Sequence, residues 1–207
     1  MNETNKSYEY RKQLGYDKYF KGKGIDIGAG DLPLTSEMSS DIESIIPYDY
    51  MAGYEDLVNG GVFGHADTCY NLDDNSFDFV YSSHMLEHLE DPYLSFRNWI
   101  RICKPGGFIF TSVPHEIFYE KCAWPSKFAD QNILGFKHHT SWTLEWKSNL
   151  PNSIHIPEFI KTFEDEGLIK YIVSKTALHN FDFNKFNEDQ TSYDGICQID
   201  FIVQKIN

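Results

Sequence analysis

The chain has 207 residues, 41% of them hydrophobic and 24% charged, enough apolar material for one α/β domain with a packed core and too much for a disordered chain. Its 31 acidic residues against 18 basic ones leave a formal net charge of −13, a field that repels a phosphate polyanion and so argues against nucleic acid as a partner. No apolar run approaches the roughly 20 residues needed to span a bilayer, and the start MNETNKSYEYRKQ lacks the apolar stretch of a secretory signal. Cys69, Cys103, Cys122 and Cys197 form neither a CxxC pair nor a disulfide framework. A cytoplasmic protein without a membrane span is the expectation.

Residues 1–23 hold six basic and three acidic side chains, so the acidic excess lies in the rest of the chain. Tyr8, Leu14, Tyr16, Tyr19 and Phe20 recur at roughly helical spacing and predict an amphipathic N-terminal helix, packed on the domain or closing over a ligand as a lid. From residue 24 onward strand and helix signals alternate. Gly24–Gly28 reads as a first strand ending in a glycine loop, Asp31–Ser39 as a short helix and Ser44–Asp49 as a second strand. Residues 50–64 read as a loop or broken helix, and His65–Asp67 as the close of a third strand. Phe77–Ser82 is a fourth strand. Helical periodicity runs from Leu86 to Ile102, with a turn or restart at Asp91-Pro92. Lys104-Pro105-Gly106-Gly107 reads as a tight turn before a fifth strand, Phe108–Val113.

Residues 115–153 show no clear periodicity but contain Trp124, Trp142 and Trp146 with His115, His138 and His139. A helix at about 155–166 and strands at about 168–175 and 196–204 complete the chain, the last two pairing antiparallel. This order predicts an α/β fold, a mostly parallel sheet with helices on both faces and a C-terminal antiparallel hairpin. The expected organisation is a single domain, 1–207. Within it, an N-terminal segment (1–23) precedes a cofactor-binding core (24–114), a substrate-side insertion (115–153) and a terminal helix and hairpin (154–207).

Asp26-Ile27-Gly28-Ala29-Gly30 stands where the first strand meets the following loop, and glycines there let backbone approach a ligand closely. The dinucleotide fingerprint requires another glycine three residues after the second, where Pro33 stands, so a nicotinamide cofactor is disfavoured. Asp49, 23 residues after Asp26, ends the second strand, where a carboxylate accepts hydrogen bonds from both hydroxyls of a ribose. Its other reading is a turn aspartate. Asp67 is placed to accept from an adenine amino group, or else to cap a turn.

The stretches IDIGAGDLP, YDYM, HADTCYNLDDNSFDFVYSSHMLEHLEDP and RICKPGGFIFTSVP, across about residues 24–114, resemble the class I S-adenosylmethionine-dependent methyltransferases. Within them the chain is similar to the small-molecule branch that includes ubiquinone and menaquinone biosynthesis enzymes. The resemblance implies a Rossmann-like methyltransferase fold with a seven-stranded sheet, and S-adenosylmethionine as cofactor. It places Gly28, Ala29 and Gly30 against the methionyl part, Asp26 toward the amino group, Asp49 with Tyr50 at the ribose and Ala66 with Asp67 at the adenine. Ser82 and Ser83 would line the wall nearest the sulfonium. Leu32 stands where the family often has a glycine.

Methyl transfer from a sulfonium is an in-line displacement that gains most from alignment and exclusion of water. A hydroxyl acceptor also needs its proton removed, and histidine is the usual base. His139 is the first candidate, then His115, with His84 facing the methyl group. His84, Glu87 and His88 share one helical face and with His139 have the right types for a metal. The resembling enzymes carry the Glu87-His88 pair without metal, so none is expected. The insertion aromatics, Phe118, Tyr119, Phe128 and Phe136 with the tryptophans, read either as a pocket wall or as a small core, and Lys121, Lys127 and Lys137 as local anion contacts. The expected reaction is O-methylation of a sugar or nucleotide-sugar used in surface glycans. Alternatives are N-methylation of a small amine, C-methylation of a quinone-type ring, or an idle cofactor-binding subunit that activates a partner. The oligomeric state is not legible.

Overall fold

The strands nearest the middle of the sequence pattern carry nearly continuous apolar runs, as strands covered on both faces must. In the computed structural model, residues 3–51, 53–121, 137–182 and 195–207 are described. Seven strands form the main sheet: β1 (Gly22–Ile27), β2 (Ile42–Asp49), β3 (Val62–Phe63), β4 (Phe77–Ser83), β5 (Cys103–Pro114), β8 (Ile169–His179) and β9 (Ile196–Lys205). Between β5 and β8 a separate parallel pair is made by β6 (Ser141–Thr143) and β7 (Ser153–His155). The main order is β3-β2-β1-β4-β5-β9-β8, with only β9 antiparallel to its neighbours. The chain therefore winds outward from β1 in one direction and from β4 in the other. The crevice at their C-terminal ends is where such sheets bind ligands.

Side chains alternate between two cores. Ile25, Ile27, Val80, Ile109 and Phe201 point to one face, where α4 (Pro92–Ile102) and α5 (Ile156–Asp165) cover them with Phe96, Trp99, Phe159 and Phe163. Phe79, Tyr81, Phe110 and Ile202 point to the other, against Tyr8, Tyr16 and Phe20 of the N-terminal segment. Gly24 is required by this packing, since a Cβ there would stand 1.9 Å from the Phe79 ring.

Several elements depart from the sequence expectation. The N-terminal helix is broken into α1 (Glu3–Lys6), α2 (Tyr8–Gln13) and a 3-10 turn, Asp17–Tyr19, with Gly15 at φ 69° between the last two. It packs on the sheet and drives Arg11, fully buried, against Tyr81 Oη (2.7 Å), Ser112 Oγ (2.7 Å) and Asp200 Oδ1 (3.4 Å). The third strand is not His65–Asp67 but Val62–Phe63. His65 instead opens a turn, with its carbonyl accepting from Cys69 N at 2.9 Å. Asp31–Ser39 forms only a 3-10 turn, Ser36–Met38. The predicted 86–102 helix divides as its Asp91-Pro92 signal suggests. A 3-10 turn, Leu86–His88, precedes α4, which Asp91 caps by accepting from Leu94 N at 2.9 Å. The Lys104–Gly107 turn lies inside β5, where Cys103 pairs with Phe77 and Phe108 with Phe79, so the extra residues loop out opposite Asp78. The loop 50–64 holds a short helix, α3 (Tyr54–Leu57). Among the described residues no helix is long and apolar enough to cross a membrane.

Candidate active site

At the end of β1 the chain turns through Gly28 at φ 74° and Gly30 at φ 57°, a left-handed conformation that favours glycine. The turn is tied to β2. Gly28 N donates to Tyr48 O at 2.9 Å, Gly30 N donates to Asp49 Oδ2 at 3.0 Å, and Tyr54 Oη donates to Gly30 O at 2.8 Å. The two glycines differ in what lies above them. A Cβ on Gly28 would fall 2.6 Å from Met85 Cγ, while one on Gly30 would meet nothing within 4 Å. Gly30 thus faces open space at the crevice.

Asp49 is buried, and its second oxygen accepts from Met51 N at 3.2 Å. A carboxylate has about four acceptor positions, so two remain for ribose hydroxyls. Asp26 is buried as well and accepts from Leu34 N at 2.7 Å. Burial pushes its pKa up to about 7, the Leu34 hydrogen bond opposing and the Asp49 charge reinforcing the shift. An acid so placed gains from a cation such as an α-ammonium. Ala66 and Asp67 are held through their carbonyls by Trp99 Nε1 (2.7 Å) and Asn98 Nδ2 (2.9 Å), leaving the Asp67 side chain exposed. Ser82 donates to Ile27 O at 3.0 Å, tying β4 to β1, and Ser83 is half-buried at the sheet edge.

Exposed Tyr50 stacks on His65 with ring centroids 6.2 Å apart, and Tyr70 lies 6.3 Å beyond. This aromatic rim beside Asp67 offers faces for a flat heterocycle. Sequence reading missed His65, Tyr70, Tyr54 and Met85. For His65 and Tyr70 the available signal was exposed aromatics flanking Asp67.

The histidines occupy different environments. His84 has φ 55°, unusual for a side chain with a Cβ, and donates its N–H to Ser112 O at 3.0 Å. Its Nε2 meets Gln198 Oε1 at 3.1 Å and its Nδ1 lies 3.6 Å from Glu87 Oε1. Glu87 is fully buried, and His88 Nε2 stands 3.7 Å from the same oxygen. Burial, with His138 next, pushes His88 down to about 3, so its ring is neutral. His138 is bonded through Nδ1 to Glu120. That bond and the acidic neighbours outweigh burial and raise its pKa.

His115 is fully buried. Its Nδ1 accepts from Ile117 N (3.1 Å) and Phe118 N (3.4 Å), and its Nε2 lies 3.5 Å from Glu145 Oε2. His139 donates its backbone N–H to Glu87 O at 2.7 Å. It lines a cleft of about 340 Å³ with Glu90, Tyr93, Thr140, Asn152 and Ser153. The structure therefore brings His138, not His139, to the Glu87-His88 pair. Trp142 is buried edge-on against Phe159 at 5.2 Å and belongs to the core, while Trp146 packs on His115 at 5.4 Å. Phe118 and Tyr119 pack with buried Cys197. Cys122, Trp124, Lys127, Phe128 and Phe136 lie outside the described residues.

Residues 25–111 match the family model described as a methyltransferase domain. Comparison with curated protein sequences finds no match. Among solved structures, the chain is similar to a Haloferax volcanii complex of the Trm112 methyltransferase activator with a methyltransferase (16% identity, 99% of this chain and 92% of the other, TM-score 0.65). It is also similar to a Methanosarcina mazei S-adenosylmethionine-dependent methyltransferase (16%, 93% and 97%, 0.59). A third is a Thermotoga maritima enzyme of the same type, a candidate histamine N-methyltransferase (12%, 98% and 99%, 0.59). At such identities the structural likeness speaks for the fold. Together with the domain match over residues 25–111, it gives the chain a methyltransferase domain in the fold of the S-adenosylmethionine-dependent methyltransferases, with a glycine turn backed by Asp26 and Asp49 at the crevice.

Proposed function

We propose that the enzyme methylates a hydroxyl of a polar small molecule of the sugar class, held in the cleft between the start of α4, residues 139–140 and residues 152–154. The lining of that cleft carries the reading. Asn152, Ser153, Thr140 and Glu90 offer hydrogen-bond partners for hydroxyls, and Tyr93 offers a ring face. Among the described residues no lysine or arginine lines it. A volume of about 340 Å³ suits a small metabolite. The two carboxylates, Glu90 and Asp91, disfavour a diphosphate, which narrows the acceptor to a sugar without a nucleotide.

The cofactor supplies an activated methyl group on a sulfonium. In this reading Gly30 leaves room for its methionyl part, Asp26 holds the ammonium, Asp49 holds the ribose, and Asp67 with the Tyr50 rim receives the adenine. His139 accepts the hydroxyl proton as the new bond forms, and closure of the cleft keeps water from the sulfonium. His115, whose Nδ1 accepts from two backbone amides, and His84, held through Nε2 by Gln198, orient neighbouring groups.

A second reading, N-methylation of a cationic amine, is favoured by the same Glu90 and Asp91 and by the Thermotoga neighbour. The test is S-adenosylhomocysteine release by the purified enzyme across free sugars, nucleotide sugars, amines and phenols. Turnover on sugars that falls in His139→Ala supports the proposal. Turnover on amines alone, unaffected by that variant, replaces it with the second reading.

A further inference from the structure

Outside the cofactor cradle and the acceptor cleft, the histidine cluster below β4 has a geometry that proton transfer does not use. We propose that Glu87, His88 and His138 bind a divalent transition-metal ion of the zinc class, with His84 as fourth ligand, and that the ion pins residues 137–140 to the loop after β4.

Proximity is the first support. One ligand atom from each of Glu87, His88 and His138 lies within 4.8 Å of the others. Glu87 Oε1 stands 3.7 Å from His88 Nε2 and 3.6 Å from His84 Nδ1. A tetrahedral ion with bonds of about 2.0–2.1 Å holds its ligand atoms about 3.4 Å apart. Glu87 therefore needs to approach His84 and His88 by only a few tenths of an ångström, and the widest separation in the Glu87, His88 and His138 group, up to 4.8 Å, closes by about 1.4 Å as the ion binds.

The outward contacts of the three histidines carry the inference further. His84 Nε2 meets Gln198 Oε1, and that amide is oriented because Gln198 Nε2 donates to Asp200 Oδ1 at 2.7 Å. His88 Nδ1 meets the Lys137 carbonyl at 3.2 Å. His138 Nδ1 meets the Glu120 carboxylate. An oxygen acceptor on one ring nitrogen places the hydrogen there and leaves a lone pair on the other. A carboxylate, a carbonyl and an amide oxygen on the far side of each ring is the arrangement by which proteins orient metal-bound imidazoles.

Imidazole and carboxylate donors suit zinc and its neighbours, and a site with Glu87 and His138 buried and His84 and His88 only 10% and 14% exposed fits a closed, structural ion. The Glu87-His88 pair alone offers two ligands. His138 arrives through the insertion, whose backbone is delivered by His139 N and Thr140 N bonding Glu87 O at 2.7 and 3.3 Å.

The experiment uses full-length untagged protein and a readout independent of turnover. Elemental analysis is expected to find about one equivalent of metal that His138→Ala loses. After chelation, zinc at about 1,000 times its Kd is expected to raise the Tm of the wild type by about 8 °C or more, and not that of the variant. A protein without metal whose Tm ignores zinc overturns the proposal, as does equal metal in His138→Ala, which would put the ion elsewhere. Where the variant fails to fold, cobalt-substituted wild type decides. Intense visible bands of four-coordinate cobalt support the site, and the weak spectrum of the solvated ion overturns it.

Discussion

The halves of the crevice proposed for the cofactor and for the acceptor are built by different means. On the β1–β2 side, the proposed cofactor recognition rests on a backbone turn and two carboxylates from adjacent parallel strands, locked by Gly30 N to Asp49 and Tyr54 Oη to Gly30 O. On the acceptor side the proposed cleft is lined from three separate stretches, Glu90–Tyr93, His139–Thr140 and Asn152–Ile154, with His139 N and Thr140 N bonding the Glu87 carbonyl. The first half is held by covalent neighbours and one strand pairing. The second exists only once the insertion has docked on the loop after β4. The difference teaches that the cofactor half tolerates change around it, whereas the acceptor half is where specificity can be rebuilt.

The largest expected effect breaks the acceptor half. His139→Ala should lower kcat by about 100-fold or more, the range for loss of a proton acceptor, with cofactor affinity unchanged. Steady-state turnover beside calorimetric titration with S-adenosylhomocysteine separates the two. An equal loss of cofactor binding would mean that His139 supports the fold and not the proton.

Next comes a contrast inside the cradle. Gly28→Ala combines a left-handed backbone with a contact 2.6 Å from Met85, and should destabilise the enzyme by about 2–4 kcal/mol. Gly30→Ala meets only the backbone strain, about 1 kcal/mol, yet its methyl group points into the open space proposed for the cofactor. Urea unfolding of both variants with and without S-adenosylhomocysteine should show stability lost in the first and ligand protection lost in the second. Equal behaviour would place the cofactor away from Gly30. Asp49→Ala should follow, weakening cofactor binding by about 1.5–3 kcal/mol, as expected for losing a charged hydrogen-bond partner. Undiminished affinity in that variant would remove Asp49 from the ribose.

How much of this was legible in the sequence follows the same division. β4 announces itself through the run Phe79–Tyr81, because a strand covered on both faces needs continuous apolar residues, whereas in β1 the buried Asp26 stands between Ile25 and Ile27. The glycine turn and Asp49 lie where strand ends put them, so local pattern found them. The third strand was misplaced because Val62–Phe63 pairs over only two residues and Gly64, whose Cβ would fall 1.9 Å from Tyr48 Oη, carries the chain past β2. The Lys104–Gly107 turn was visible, but the return of the chain into the same strand depends on pairing with β4. In the pair His138-His139, which ring turns inward depends on His139 and Thr140 bonding the Glu87 carbonyl, a tertiary fact with no periodicity to betray it.

The smallest expected effect sharpens the comparison through Asp26. Its folded pKa, raised to about 7 by burial, lies above the ordinary carboxylate value. Between about 4 and 7 the folded protein therefore holds a proton that the unfolded chain has released. The stability contributed by this group is complete below pH 4 and is lost as pH rises toward 7. Cofactor binding runs the other way, because an ammonium against Asp26 selects the ionised form. Affinity for S-adenosylhomocysteine should rise by up to about tenfold from pH 6 to pH 8 and then level off. Asp26→Asn should bind more weakly and lose that slope. A wild-type affinity flat across this interval would place the amino group on some other partner, leaving Asp26 as a brace for the Leu34 amide alone.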